Sequence, residues 1–230
     1  VVIVQDAFTS YFETQLVLDI ADLLKRLGFN VQLAPFAPNG KPLHVHGFMK
    51  RFTKVAQQNV EMLRQFEAQG VTLIGVDPSM TLTYRQEYAQ VVSGELPKVQ
   101  LLQEWLSQQR DALSEIKLEG RANYRLMSHC TEKTNAAPSV KQWQTIFDDL
   151  GLELSVVATG CCGMAGTFGH ESANQAASKE IYSQSWQPIV NSAAAGDELL
   201  ATGYSCRSQV KRLDQKLLKH PAQVLLELMR

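Results

Sequence analysis

Cysteine is scarce in this sequence, with four residues in 230. A disulfide scaffold needs many more, so these thiols either sit inert in a core or make a single site. An excess of one charge is missing too. Lys and Arg number 22, Asp and Glu 23, and the formal net charge is −1. That balance excludes the strongly basic face of a nucleic-acid binder. No apolar run approaches the roughly 20 residues of a membrane span. There is no P-loop, and no G-x-G-x-x-G follows a strand pattern, so no local nucleotide fingerprint is visible. The start shows neither the basic segment nor the small-residue cleavage site of a signal peptide. It also lacks Met: Val1-Val2-Ile3-Val4 opens in a buried-strand pattern. The expectation is a module cut from a larger chain, working in the cytoplasm, where thiols stay reduced.

What is present suits a globular core. Hydrophobic residues make up 45% of the chain, and a chain this long buries roughly 70–75% of its unfolded surface. Strand and helix patterns alternate. Val1–Val4 and Val71–Val76 read as buried strands, 29–33 as a short strand, and 12–27 and 53–68 as helices. In the first of those helices Leu16, Ile20, Leu23, Leu24 and Leu27 share one face. Further helices fit near 84–92 and 99–113. Then the pattern restarts, with strands at 124–127, 152–158 and 198–202 and helices at 140–150, 172–185, 205–218 and from Pro221. Such alternation predicts an α/β fold of two pseudo-symmetric Rossmann-like lobes with mostly parallel sheets, residues 1–118 and 119–230.

The restart is an internal repeat. Leu27-Gly28-Phe29 falls on Leu150-Gly151-Leu152, and Pro38-Asn39-Gly40 on Cys161-Cys162-Gly163. With small slips, Asp6 falls on Cys130, and Leu73 to Met80 on Leu199 to Cys206. Every cysteine therefore lies in the second copy. Each follows a strand, and in open parallel sheets ligands bind at the carboxyl ends of strands.

The thiols sit in His129-Cys130-Thr131-Glu132, in Gly160-Cys161-Cys162-Gly163-Met164-Ala165-Gly166-Thr167-Phe168-Gly169, and in Tyr204-Ser205-Cys206-Arg207-Ser208-Gln209. Gly160, Gly163 and Gly166 allow left-handed backbone and close approach to a bulky ligand, and their N–H groups can bond anionic sulfur. Arg207, Lys211 and Arg212 can offset thiolate charge. Four readings stand: inert buried thiols; structural zinc, which prefers C-x-x-C knuckles over adjacent Cys161-Cys162; a dithiol redox site activated by His129 or His170; or an iron–sulfur cluster on Cys130, Cys161, Cys162 and Cys206. Spacing alone does not choose among them.

The segment from Cys161 to Glu171 resembles the CCG cysteine-rich domain found in heterodisulfide reductases, in anaerobic glycerol-3-phosphate dehydrogenases, and in glycolate and lactate oxidation proteins. The resemblance covers nearly the whole chain, since family members carry two such repeats. The phrases Gln5-Asp6-Ala7-Phe8-Thr9-Ser10-Tyr11, Pro38-Asn39-Gly40-Lys41 and Val76-Asp77-Pro78-Ser79 are similar to the C-terminal part of large bacterial FAD-linked oxidases, the group of the D-2-hydroxyglutarate dehydrogenases. The resemblance implies an electron-transfer module holding one iron–sulfur cluster of the 4Fe-4S type. Its partners would be FAD and ferredoxin-like domains of the same parent chain, with a 2-hydroxyacid substrate at the parent's flavin. It departs from the family at Cys206-Arg207-Ser208-Gln209, where a second thiol is often found. A five-thiolate site is thus put in question, while a four-thiolate site survives. The alternatives in function are a thiol–disulfide (heterodisulfide-type) reductase module and a cluster-free docking domain.

Other residues read as structural. His44 and His46 form a weak H-x-H pair, and Trp105, Trp143 and Trp186 fall in helical stretches and read as packing. The basic, aromatic run 48–54 reads as a helix cap or a domain-docking surface. Asp6, Asn39 and Lys41 lie at the thiol-free sheet edge, where solvated loop residues are the plainer reading.

Overall fold

The fold was analysed in a computed structural model that describes residues 1–120 and 122–230. The chain divides into two compact units, Val1–Gln108 and Gln109–Arg230. Residues 109–118, which the repeat places in the first half, belong to the second unit. There Arg110 pairs with Asp149, and the Leu118 N–H donates to the Leu150 carbonyl at 2.9 Å.

The first unit runs β1 (Val2–Ile3), α1 (Ala7–Tyr11), α2 (Thr14–Arg26), β2 (Gln32–Leu33), α3 (Lys41–Val45), α4 (Met49–Glu67), β3 (Leu73–Gly75), α5 (Pro78–Thr83), β4 (Val99–Leu101) and α6 (Leu102–Leu106). Its sheet has the order β2-β1-β3-β4, and every pairing is parallel. The second unit runs α7 (Arg110–Ser114), β5 (Asn123–Met127), α8 (Cys130–Asn135), α9 (Ala137–Asp149), β6 (Leu154–Val156), α10 (Gln175–Ser192), β7 (Asp197–Ala201), α11 (Tyr204–Asp214) and α12 (Pro221–Leu228). Its sheet has the order β6-β5-β7, again all parallel. A single parallel bridge, Leu200 to Lys219, stands just before α12, as β4 stands before α6.

The repeat is carried in the strand register. Ile3 pairs with Leu33 and Ile74, and Leu126 pairs with Val156 and Leu200. In this register Asp6 corresponds to His129, one residue before the Cys130 expected from sequence. The two residues share a task, since each caps the helix that follows. Asp6 Oδ1 accepts the Phe8 and Thr9 N–H groups, and His129 Nδ1 accepts the Thr131 N–H. Helix ends repeat as well. Gly28 and Gly151 take φ of +87° and +82° after α2 and α9. The next residue donates back to the equivalent carbonyl in each, Phe29 to Leu24 at 3.0 Å and Leu152 to Phe147 at 2.9 Å. Glycine is the residue that reaches this left-handed closure without strain.

The helices bury the faces that their periodicity marks. Leu16, Ile20, Leu23 and Leu24 of α2 are buried, as are Phe52, Ala56, Val60 and Leu63 of α4. Trp105, Trp143 and Trp186 are buried too. Two of the expected helices differ from the structure. The stretch 99–113 opens as strand β4, because Val99 and Leu101 face the core while Gln100 between them pairs across to Ile74. The helix expected at 84–92 is replaced by turns and one 3-10 turn at Tyr88–Gln90, and the regular helix, α5, ends before it at Thr83.

Candidate functional site

All four cysteines lie at the carboxyl edge of the second sheet. Cys130 is the first residue of α8, Cys161 and Cys162 follow β6, and Cys206 is in the first turn of α11. All are free thiols. Cys130 and Cys161 are partly exposed, and Cys162 and Cys206 are buried. Each adjoins the next: Cys130 lies in hydrogen-bond range of Cys161, Cys161 of Cys162, and Cys162 of Cys206. Among the described residues, no group of three or more His, Cys, Asp or Glu side chains is arranged to hold a metal ion as it stands.

The loop after β6 is gripped from one side. The Gly160 N–H donates to Ser185 Oγ at 2.5 Å, and Trp186 Nε1 donates to the Gly160 carbonyl at 3.2 Å. Both partners come from α10. The chain then turns through Gly163 at φ +82°, Ala165 at +42° and Gly166 at +69°. At Gly163 a side chain is excluded outright, because a Cβ would lie 2.3 Å from the Ser178 carbonyl oxygen. That turn directs the Gly163 N–H onto Cys161 Sγ at 3.3 Å. Gly166 meets nothing within 4 Å. Arg212 braces the far end of the loop by donating to the Gly169 carbonyl and to Gln209 Oε1, the latter at 2.9 Å.

The electrostatics single out one sulfur. Hydrogen bonds from Cys130 and Cys162, the Gly163 N–H and the nearby His129 push Cys161 far below the usual thiol range, against the opposing effect of its burial. The Cys130 thiol is pushed up by its bond to Cys161 and by burial. Cys162 rises through its bonds to Cys161 and Cys206 and through burial.

Arg207 follows Cys206 in α11. Its side chain is buried, its Nη1 donates to the Ala201 carbonyl at 2.7 Å, and its charge together with burial lowers the pKa of His220. Two residues of this edge carry no motif in the sequence. Glu132 and Thr202 are 0% and 1% exposed and bond to each other at 2.5 Å. Their only sequence signal is position, two residues after Cys130 and at the end of β7.

The first unit's equivalent edge holds polar side chains in place of thiols. Asn39 Nδ2 donates to the Met80 carbonyl at 3.1 Å, Lys41 pairs with Glu87, and Asp77 Oδ1 accepts from Ser79 and Met80. His44 packs its ring on Phe52 at 5.0 Å, and His46 faces Phe48 at 6.5 Å.

An α/β unit with four adjoining thiols at its sheet edge, paired with a cysteine-free unit of the same register, defines the class of module. No protein-family model matches the chain. Known proteins do match it. It is 51% identical to D-2-hydroxyglutarate dehydrogenase of Pseudomonas putida over 99% of its own length and 22% of that protein's. It is 41% identical to the Escherichia coli protein of the same name over all of its own length and 23% of that protein's. A component of the anaerobic glycerol-3-phosphate dehydrogenase of Escherichia coli is 27% identical over 95% of this chain and 56% of that component. Thus the chain is homologous to a segment of these dehydrogenases and spans under a quarter of the length of the D-2-hydroxyglutarate enzymes. A hypothetical protein from Helicobacter pylori shares the fold, with a TM-score of 0.56 and 13% identity over 99% of this chain and 48% of that one. No helix among the described residues is long and apolar enough to cross a membrane.

Proposed function

We propose that the chain is the electron-transfer module of an FAD-linked 2-hydroxyacid dehydrogenase of the D-2-hydroxyglutarate type. In this reading its second unit holds one iron–sulfur cluster and the flavin belongs to the rest of the parent chain. The carrying observation is that one fold segment recurs in dehydrogenases named for two different substrates. A segment shared across substrates serves a step that both share, and removal of electrons is such a step.

The type of donor supports this reading. Four thiols from three loops adjoin one another, and thiolate is the ligand type that iron–sulfur clusters take. Cys130, Cys161, Cys162 and Cys206 would be the ligands, with Gly160, Gly163, Gly166 and Arg207 around them. A bound cluster supplies reversible one-electron transfer. The Gly163 N–H withdraws charge from Cys161, burial of Cys162 and Cys206 keeps water from their sulfurs, and the grip of α10 on Gly160 fixes where the loop turns. Hydrogen bonds to sulfur and burial are the levers by which a protein tunes such a site. A reducing cytoplasm suits it, and the isolated chain is expected to show no dehydrogenase turnover.

Anaerobic purification followed by iron and sulfide analysis tests this reading. Bound iron and sulfide, lost on Cys→Ser substitution at each of the four positions, is the expected outcome. Iron-free protein after anaerobic reconstitution, with all four thiols reduced, rejects it. One observation favours a second reading, a thiol–disulfide reductase module: the Gly163 N–H donates to Cys161 Sγ at 3.3 Å and, with the neighbouring thiols, lowers its pKa. Iron-free protein that exchanges with a disulfide and loses the exchange in Cys161→Ser would establish that reading instead.

A further inference from the structure

A buried polar link joins two of the thiol-bearing segments. The His129 N–H donates to Thr202 Oγ1 at 3.0 Å. The Thr202 hydroxyl donates in turn to Glu132 Oε2 at 2.5 Å. Ser139 Oγ donates to the other oxygen, Oε1, at 3.1 Å. All four residues are buried. His129 caps the helix that begins with Cys130, and Thr202 directly follows the strand that leads to Cys206. The caps also interlock, since a Cβ on Gly203 would lie 2.2 Å from His129 Cδ2.

We infer that Glu132 and Thr202 are positioning residues, a buried strut that sets the start of α8 against the start of α11 and so holds Cys130 near Cys206. This inference rests on reading the thiols as one site. The strut adds to what the fold already provides. β5 and β7 pair residue by residue from Asn123–Asp197 to Met127–Ala201, so the sheet is joined without it. Burying a carboxylate is costly unless its oxygens are bonded, and here those bonds come from Thr202, on the segment that leads to Cys206, and from Ser139 of α9. Thr202 serves in both directions at once, accepting an N–H and donating its single proton. Valine matches its shape and can do neither.

The test compares the purified protein with Thr202→Val and Thr202→Ser, first reduced and iron-free, then after anaerobic reconstitution. In the iron-free protein the alkylation rates of Cys130 and Cys206 are read separately by mass spectrometry, with circular dichroism as the check on folding. Thr202→Val is expected to raise both rates about thirtyfold, the equivalent of two buried hydrogen bonds, and Thr202→Ser to restore them. After reconstitution Thr202→Val is expected to alter the electron paramagnetic resonance spectrum of the bound cluster. A folded Thr202→Val protein with wild-type rates overturns the strut, as does failure of Thr202→Ser to restore them. If Thr202→Val does not fold, Ser139→Ala removes the bond to Oε1 and is held to the same criteria. Wild-type protein that takes up no iron rejects the cluster reading alone, because the alkylation comparison needs no metal.

Discussion

The loops after β2 and β6 turn at equivalent glycines and then do different chemistry. Gly40 and Gly163 take φ of +78° and +82°. Before the first stands Asn39, whose amide donates to the Met80 carbonyl and lies 3.9 Å from Met80 Sδ. Before the second stands Cys162, in hydrogen-bond range of Cys206, the residue equivalent to Met80. The same backbone joint thus closes one sheet edge with an amide and the other with thiols. The difference teaches that the joint belongs to the fold, whereas the chemistry belongs to the residue beside it. In the first unit the polar groups are spent on caps and ion pairs. In the second, hydrogen-bond donors are aimed at sulfur.

The largest expected effect separates the two glycines. In Gly163→Ala the new methyl meets the Ser178 carbonyl at 2.3 Å, backbone that cannot yield, in a left-handed conformation. Strain of this kind costs about 3 kcal/mol or more. In Gly40→Ala the methyl meets the Phe52 ring at 3.0 Å and Val55 at 3.1 Å, side chains able to shift by tenths of an ångström. The left-handed penalty then dominates, at about 1–2 kcal/mol. Urea unfolding of both variants checks this. Equal losses would show that the two turns are not differently constrained.

The second effect lies in the first unit and depends on pH. Burial, and then the charge of Asp77, raise the Asp6 carboxyl to about 7, against about 3.9 in an unfolded chain. Between pH of about 4 and about 7 the folded protein holds a proton that the unfolded chain has released. Stability therefore falls as pH rises through that window and levels off above it. Asp6→Asn keeps an oxygen to cap α1 and does not titrate. Its stability relative to wild type is expected to improve by about 2–3 kcal/mol from pH 5 to pH 8. Parallel profiles for the two proteins would remove Asp6 as the source. His129, the register equivalent, caps α8 through ring Nδ1 in place of a carboxylate oxygen.

Much of this contrast is legible in the sequence. The parallel α/β pattern, the repeat and the gathering of the thiol loops follow from apolar strands, from glycines at helix ends and from cysteine placement. What escapes it has a physical cause in each instance. Val99-Gln100-Leu101 alternates for too short a stretch to be told from the helix that follows it directly. Asp6 aligns one residue off because α1 is a single turn whose only mark is its cap. Glu132 stands out in the sequence only by its place two residues after Cys130. Only the fold shows that it is buried against Thr202.

The smallest effect tests whether the equivalent residues have separate duties. Asn39→Ala removes the bond to the Met80 carbonyl at 3.1 Å and the cap on the Lys41 N–H at 3.0 Å. Two net hydrogen bonds of this kind contribute about 1–2 kcal/mol. Cys162→Ala, at the matching place, removes a sulfur that packs in the core beside Met127, Met164 and Trp186, and costs a similar amount. In stability, then, the two variants should look alike. In iron they should not: Asn39→Ala is expected to take up wild-type iron on anaerobic reconstitution, and Cys162→Ala little or none. If both lose iron equally, the first unit shares in holding the cluster, and the division of labour between the two sheet edges fails. If neither does, the thiol at Cys162 is one more core residue, and its contact with Cys206 is packing of the kind that Asn39 and Met80 supply without sulfur ligands.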